Sequence, residues 1–529
     1  MPTYLSPFAP SPAGSSLRRT ASHWLRSGLA VVALASPAAG AGFDSLFVPE
    51  PLADESISPV EFDPNQAFAQ IQDPAVETVD EQTRGFGGGG QASNARDESF
   101  GGQLRRNWNR IQDPAIETVD EQTKKHDHTG EKHWYDDFNI RGYTQFRINS
   151  TLWNNPEGAP VYHPNDKSVG LNNHFFIRRC RVIFSGDLGD HLFFYIQPDF
   201  ASSLAGVSDP GAINYVQLRD CYGDVYITTD KVHRVRVGQS KVPYGWDNMQ
   251  SSSNRIPLDR CDAINATKSE RGMGVFYYWT PDYAQDLYKE VLDEGLKGSG
   301  NYGVFGMGCY NGQGNSTLEQ NNNMHFVLRL NSPWKMDNGQ IMEAGVQAYT
   351  GLYVPTVRDI KFGGKTVTPK ILPNSNGVLD QRIAATYVYY PQPLGVTAEW
   401  NVGLGPQLSS LKGTSASNPP TISSQPLAGG YVLVNYKLDT EDHGVIFPFF
   451  RYQDYRGGFI WERNSPNTYI GEFNMGVEWQ FTKQMELTAE YDFVNRTNTS
   501  GASNVPILPN GQFAQFQGDL LRFQFQMNY

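Results

Sequence analysis

The last nine residues, Leu521 to Tyr529, alternate without a break: Leu521, Phe523, Phe525, Met527 and Tyr529 fall on one side, Arg522, Gln524, Gln526 and Asn528 on the other. Side chains on a strand point to alternate faces, so this segment predicts a strand with one apolar face and one polar, charged face. A soluble sheet packed on one side gives the same pattern. Here the apolar face ends on an aromatic at the chain terminus, where a membrane strand meets the interfacial aromatic girdle. Gly 52, Tyr 27, Phe 30 and Trp 10 make the chain rich in turn formers and aromatics, yet no apolar run is long enough for a transmembrane helix. If such a chain sits in a membrane, it does so as a closed barrel.

The N-terminus reads as an export signal. Arg18, Arg19 and Arg26 precede the apolar stretch Leu29 to Ala35, and Ala39, Gly40 and Ala41 offer an A-x-A-type site, with cleavage expected after Ala41. The stretch before the arginines is long, so either translation starts further in or the leader (1–41) is an extended one; the residues flanking Arg18-Arg19 fit a twin-arginine signal poorly. Residues 42–135 read as a disordered acidic linker, dotted with proline and carrying a glycine run at Gly87 to Gly90. Acids outnumber bases there 18 to 8, so most of the chain's net charge of −12 belongs to this tail and says little about what the rest attracts. A 13-residue segment, Ile71 to Thr83, recurs almost unchanged from Ile111 to Thr123. Two copies are too few for a solenoid, leaving duplicated linker or a duplicated docking peptide for a periplasmic partner.

From 136 to 529 the pattern predicts an all-β domain, a transmembrane antiparallel β-barrel of about sixteen strands. The strands are expected near 138–148, 174–186, 191–200, 215–227, 232–240, 272–281, 300–310, 323–331, 340–351, 380–390, 394–404, 430–438, 445–456, 469–481, 485–496 and 514–529. An even count and an alternation of short turns with long polar loops suit an outer-membrane barrel. The segment Pro281 to Ser299 breaks that rule, reading as a short helix on the short-turn side. Faces sort as lipid demands: Phe473, Met475, Val477, Trp479 and Phe481 outward against Glu472, Asn474, Glu478 and Gln480 inward, and Leu487, Ala489, Tyr491 and Phe493 against Glu486, Thr488, Glu490 and Asp492.

The polar faces carry the functional signal. Early strands supply Arg141, Arg147, Arg179, Arg181, Arg219, Arg234 and Arg236; later strands supply Glu399, Glu472, Glu478, Glu486, Glu490 and Asp492. This predicts a lumen with one positive and one negative wall, whose charges either pair across the water or form an anion pathway. Guanidinium groups at i, i+2 can hand an anion along, because their forks bind oxyanions bidentately. The third long loop, Lys241 to Arg271, holds Lys241, Tyr244, Trp246, Arg255, Asp259, Arg260, Lys268 and Arg271, which suits a constriction and equally a solvated surface loop.

Four stretches, Phe176-Ile-Arg-Arg-Cys-Arg181, Gln217-Leu-Arg-Asp-Cys-Tyr222, Gly238-Gln-Ser-Lys-Val-Pro-Tyr-Gly245 and Tyr310-Asn-Gly-Gln-Gly314, resemble the phosphate-selective porins of the O and P type. The resemblance covers about Phe138 to Tyr529. It implies a sixteen-stranded outer-membrane barrel, usually a homotrimer, with an arginine-lined lumen and an inward-folded third loop that favour phosphate or polyphosphate. Cys180 and Cys221 stand where small residues such as alanine are expected, and the acids of the later strands run against a phosphate preference. The function expected is a passive channel for small anions, with no enzyme activity, cofactor or nucleic-acid partner; a general porin, an adhesin-like barrel and a barrel hydrolase are the alternatives. The tail is too polar to fold as a plug, which disfavours an active transporter.

Other signals carry less. Gly363-Gly-Lys-Thr366 mimics the end of a phosphate loop, but Asp359 stands where its first glycine belongs. His126, His128 and His133 lack the frame a metal site needs. Cys180, Cys221, Cys261 and Cys309 are expected to be free thiols.

Overall fold

A computed structural model describes residues 137–529, apart from 157, 162, 164–165, 167–168, 170–172, 203–214, 266–269, 316, 363–364, 412–413 and 499–513. The leader, the repeat-bearing linker, His126, His128 and His133 lie outside the described residues. Sixteen long strands follow one another: β1 (Phe138–Asn154), β2 (His174–Asp187), β3 (Leu192–Ser202), β4 (Tyr215–Tyr226), β5 (His233–Lys241), β6 (Arg271–Trp279), β7 (Phe305–Tyr310) and β8 (His325–Lys335). The second half comprises β9 (Ile341–Tyr353), β10 (Val378–Tyr389), β11 (Leu394–Leu408), β12 (Thr421–Tyr436), β13 (Gly444–Gly458), β14 (Asn467–Thr482), β15 (Met485–Asn498) and β16 (Ala514–Asn528). Each pairs antiparallel with its predecessor, and β16 pairs with β1 from Tyr143 opposite Asn528 to Asn154 opposite Gly518. That last ladder closes the sheet into a barrel with no free edge, as backbone in hydrocarbon requires.

Burial is inverted relative to a soluble protein. The largest fully buried side chains are all arginines and tyrosines, while Ile140, Phe175, Val237, Val275, Val346, Met475 and Val477 face outward and exposed. An exposed apolar belt around a charged interior is stable only if the outside is lipid and the inside wet. Phe138, Trp279, Tyr436 and Tyr529 are exposed at the strand ends on the short-turn side, where a membrane interface favours aromatic rings. Glu472, Glu478, Glu486, Glu490 and Asp492 are buried on the inner face, as the alternation predicts. Among the described residues no helix is long and apolar enough to cross a membrane.

Three departures from the expected pattern have identifiable structural causes. The segment 280–304 between β6 and β7 holds the helix anticipated there, Asp282–Asp293, and takes residues 300–304 away from the expected seventh strand. It crosses the short-turn mouth: Lys297 Nζ pairs with Glu478 on β14 and Lys437 Nζ donates to the Glu294 carbonyl. β12 starts at Thr421 rather than near 430, because Gly429 and Gly430 continue the ladder instead of ending it; a Cβ at Gly430 would stand 2.0 Å from the Glu399 carbonyl oxygen. The stretch around Gly363 lies between the strands Ile360–Phe362 and Lys365–Val367, which pair antiparallel with no helix following, so the phosphate-loop reading fails.

Candidate functional site

The loop 242–270 after β5 folds into the barrel, and its base explains the motif Gly238 to Gly245. Gly238 and Gly245 hold φ of 128° and 79°, backbone that L side chains rarely adopt. Lys241 Nζ turns back to donate to the carbonyls of Met249 (2.7 Å) and Gln250 (3.0 Å), closing the loop around the short helix Trp246–Met249. The Asp247 N–H at that helix donates to Glu399 on β11 (3.1 Å), an approach that a Cβ at Gly245, 2.8 Å from Glu399 Oε1, would obstruct.

Two apolar flanks and one ionic flank seat the loop. Val242, Tyr244 and Met249 pack with Phe276, Tyr278, Val327 and Tyr349 of β6, β8 and β9. Ile256, Cys261, Ala263 and Ile264 pack with Tyr431, Leu433, Phe447 and Phe449 of β12 and β13. On the third side Asp259 meets Arg147 of β1 (2.7 Å) and Arg522 of β16 (2.5 Å), Asp262 meets Arg496 of β15, and the Leu258 N–H donates to Glu490 (2.9 Å). Burial opposes ionisation of Asp259, but Arg147, Arg522, Arg178 and Arg179 outweigh it and hold the carboxyl well below the usual range.

The loop leaves an opening on the side facing β2 to β6. There lies a cavity lined by Arg181, Tyr195, Gln197, Asp220, Tyr222, Arg236, Lys241, Ser251, Ser252, Arg271 and Tyr302. Four cations and one carboxylate line it, so its surface carries an excess of positive charge. Each guanidinium is held by a carboxylate. Arg181 Nε donates to Asp199 (2.7 Å) and its Nη1 to Tyr143 (2.8 Å) and Ser252 (3.0 Å); Arg236 forks onto Asp224 (2.7 and 2.9 Å); Arg271 Nε donates to Asp220 (3.0 Å). Arg236 lies 3.7 Å over the Tyr222 ring, which stacks on Tyr195 with centroids 5.1 Å apart. Such packing leaves the forks little freedom, the preorganisation that anion contact needs.

The family model described as "Phosphate-selective porin O and P" matches residues 158–529, more than half of the chain. The chain belongs to this family. The barrel is therefore that of an outer-membrane porin. Solved structures similar to it include in-vitro folded OmpT, an outer membrane protein of Vibrio cholerae, and OmpF of Salmonella typhi in complex with daunomycin. Both are 10% identical with a TM-score of 0.43. The outer membrane channel DcaP of Acinetobacter baumannii is 12% identical, with a TM-score of 0.40. Each likeness covers 74% of this chain and 97% of the other. No match is found among curated proteins.

Two of the porin's motifs owe their charge density to β-bulges. On β2 the pairing with β1 slips between Gln145 opposite Arg179 and Phe146 opposite Ile177, leaving Arg178 as the extra residue. On β4 the pairing with β3 slips between Gln197 opposite Asp220 and Pro198 opposite Leu218, leaving Arg219 extra. Strict alternation puts one of each adjacent pair outside; the bulge turns both inward. Arg178 thus joins Arg179 at Asp259 (3.4 and 3.5 Å), and Asp220 joins Arg219 on the lumen side.

Of the residues expected to form the anion pathway, Arg181 and Arg236 line the cavity, as do Lys241 and Arg271, expected in the loop but placed at the ends of β5 and β6 that flank it. Arg147 and Arg179 sit at Asp259, Arg219 and Arg260 meet Glu270, and Arg234 lies 3.5 Å from Asp224 and donates to the Asn301 carbonyl. Burial opposes the charge of Glu270 too, yet Arg260, Arg219 and Arg271 keep its carboxyl well below the usual range. Arg141 is half-buried on β1. Tyr244 lies in an apolar cluster and Arg255 pairs with Asp247 within the loop, so these two hold the loop rather than line the cavity. Lys268 lies outside the described residues.

The expectation of two oppositely charged walls is corrected: Asp199, Asp220 and Asp224 sit among the early arginines, and Arg329, Arg382, Arg451, Arg496 and Arg522 among the later acids. Most lumen charges are neutralised locally. The alternation of β16 carries Arg522 openly, whereas Tyr195, Tyr222 and Tyr302 look like any barrel aromatics and only contact reveals them. All four cysteines are unpaired. Among the described residues no group of His, Cys, Asp and Glu could hold a metal ion.

Proposed function

We propose that this porin is a passive channel for small anions, phosphate or polyphosphate favoured, and that they pass between the inward loop and strands β2 to β6. The observation that carries the reading is the cavity with Arg181, Arg236, Lys241 and Arg271 on its surface against Asp220 alone. Asp199 and Asp224 stand behind their arginines rather than on that surface, while the loop's apolar flank covers much of the later wall. A permanent cation with a planar fork matches an oxyanion, and a hydrated gap keeps each contact weak enough to release it. In the same reading the porin is a homotrimer in outer-membrane lipid, residues 1–41 are its export leader, and 42–135 form a linker in which the 13-residue segment is duplicated. The test is a reversal potential in a salt gradient across planar bilayers, followed by phosphate block of the chloride current. Anion preference and phosphate block weakened in Arg234→Ala/Arg236→Ala are expected; cation preference, or block unaffected by the double change, refutes it and leaves a general porin.

A further inference from the structure

Asp259 is placed as a bound oxyanion would be. Its Oδ2 takes Arg147 Nη1 (2.7 Å) and Arg522 Nη2 (2.5 Å), and its Oδ1 faces Arg178 Nη2 (3.4 Å) and Arg179 Nη2 (3.5 Å). These four guanidiniums come from three adjacent strands, β16, β1 and β2, and the β2 bulge is what turns Arg178 toward the others. The carboxylate comes from elsewhere, on the inward loop. Asp166, from the loop after β1, shares the same two nitrogens, Arg147 Nη1 and Arg522 Nη2 (2.7 and 2.8 Å), and its side chain is 2% exposed, whereas the Asp259 side chain is 10% exposed. Arg178, at 21%, is the most exposed of the four. The more exposed of the two neutralising carboxylates is thus the one on the inward loop, two residues before a buried thiol: Cys261 Sγ donates to Gln453 Oε1 (3.1 Å) inside the apolar flank.

We propose that the nest of Arg147, Arg178, Arg179 and Arg522 is a second oxyanion site of the lumen, with the Asp259 carboxylate as its resident occupant. Inorganic phosphate and Asp259 then compete for the same four forks, and occupancy by phosphate releases the Asp259 end of the inward loop. Bidentate forks do not distinguish a carboxylate on a side chain from an oxyanion in solution; only the tether favours Asp259. The proposal rests on the reading that the lumen admits anions, so its test needs a readout independent of permeation.

Two measurements on the full-length reconstituted porin provide it. Asp259→Asn removes the loop carboxylate's charge from the nest while Asp166 remains, and the phosphate concentration that half-blocks the chloride current should fall at least tenfold, a gain that Asp259→Asn/Arg178→Gln should largely remove. In a Cys180→Ala/Cys221→Ala/Cys309→Ala background with Asp259 intact, phosphate should raise the rate of Cys261 modification by a water-soluble maleimide several-fold over chloride at equal ionic strength. An unchanged or raised half-block concentration in Asp259→Asn overturns the site, as does a Cys261 rate indifferent to phosphate. The thiol rate reports occupancy and not conduction. A cation-selective wild type would therefore defeat the channel reading while leaving this site to be decided by Cys261 alone.

Discussion

The pair formed by Arg236 and Asp224 allows the charge of the cavity to be separated from the shape of its guanidinium. Arg236→Gln removes one of four lining cations and leaves Asp224 with Arg234 at 3.5 Å as its remaining arginine partner. An anion in the gap about 6 Å away loses about 0.7 kcal/mol per unit charge in a water-like dielectric, and about 2.8 kcal/mol at an effective dielectric of about 20. One lost cation is the least change. Full exposure of Asp224 would make it two, so in a water-like gap the half-blocking phosphate concentration should rise between about three- and tenfold. The permeability ratio of chloride to potassium should fall in parallel, and both effects should shrink at high salt. Arg236→Gln/Asp224→Asn removes both charges and leaves the local sum unchanged, so it should return toward wild type. Heat-modifiable gel migration serves as the folding control, since both residues hang from one face of a closed sheet. No effect in the single variant would show that anions do not pass this cavity; a double variant as impaired as the single would show that the fork, and not the charge, does the selecting.

Gly245→Ala forces a non-glycine residue to φ 79° and sets a Cβ 2.8 Å from Glu399 Oε1, at a cost of about 1–3 kcal/mol in strain. The loop should seat less firmly, seen as larger and noisier single-channel conductance with barrel migration unchanged. Acid should also unseat the loop: a carboxylate depressed on folding, as Asp259 is, contributes stability above its unfolded pKa of about 3.9 that is lost as pH falls toward its folded value. Conductance noise should therefore stay flat from neutral pH down to about 4 and rise below it, and a rise already complete at pH 6 would refute the assignment.

All sixteen strands were legible because the lipid imposes a rule that each strand obeys by itself, apolar out and polar in, with no help from its neighbours. The helix at 282–293 was legible for a similar local reason. Where the reading slipped, a nonlocal fact was responsible. Gly429 and Gly430 look like a loop until β11 is laid beside them, and Arg178 and Asp220 look outward until the ladder is found to slip at each bulge.

The sequence by itself thus determined the barrel, its strand order and the inward arginines, since period-two alternation is a property of each strand and arginine on the wet face needs no partner to be recognised. It could not determine which of those arginines remain available to an anion. That depends on where the carboxylates of other strands and of the inward loop arrive: Asp259 at Arg147 and Arg522, Asp224 behind Arg236, Asp220 beside Arg271. Ion pairing acts over a few ångströms in space and without regard to separation along the chain, so only the tertiary structure decided which charges cancel and which face the water.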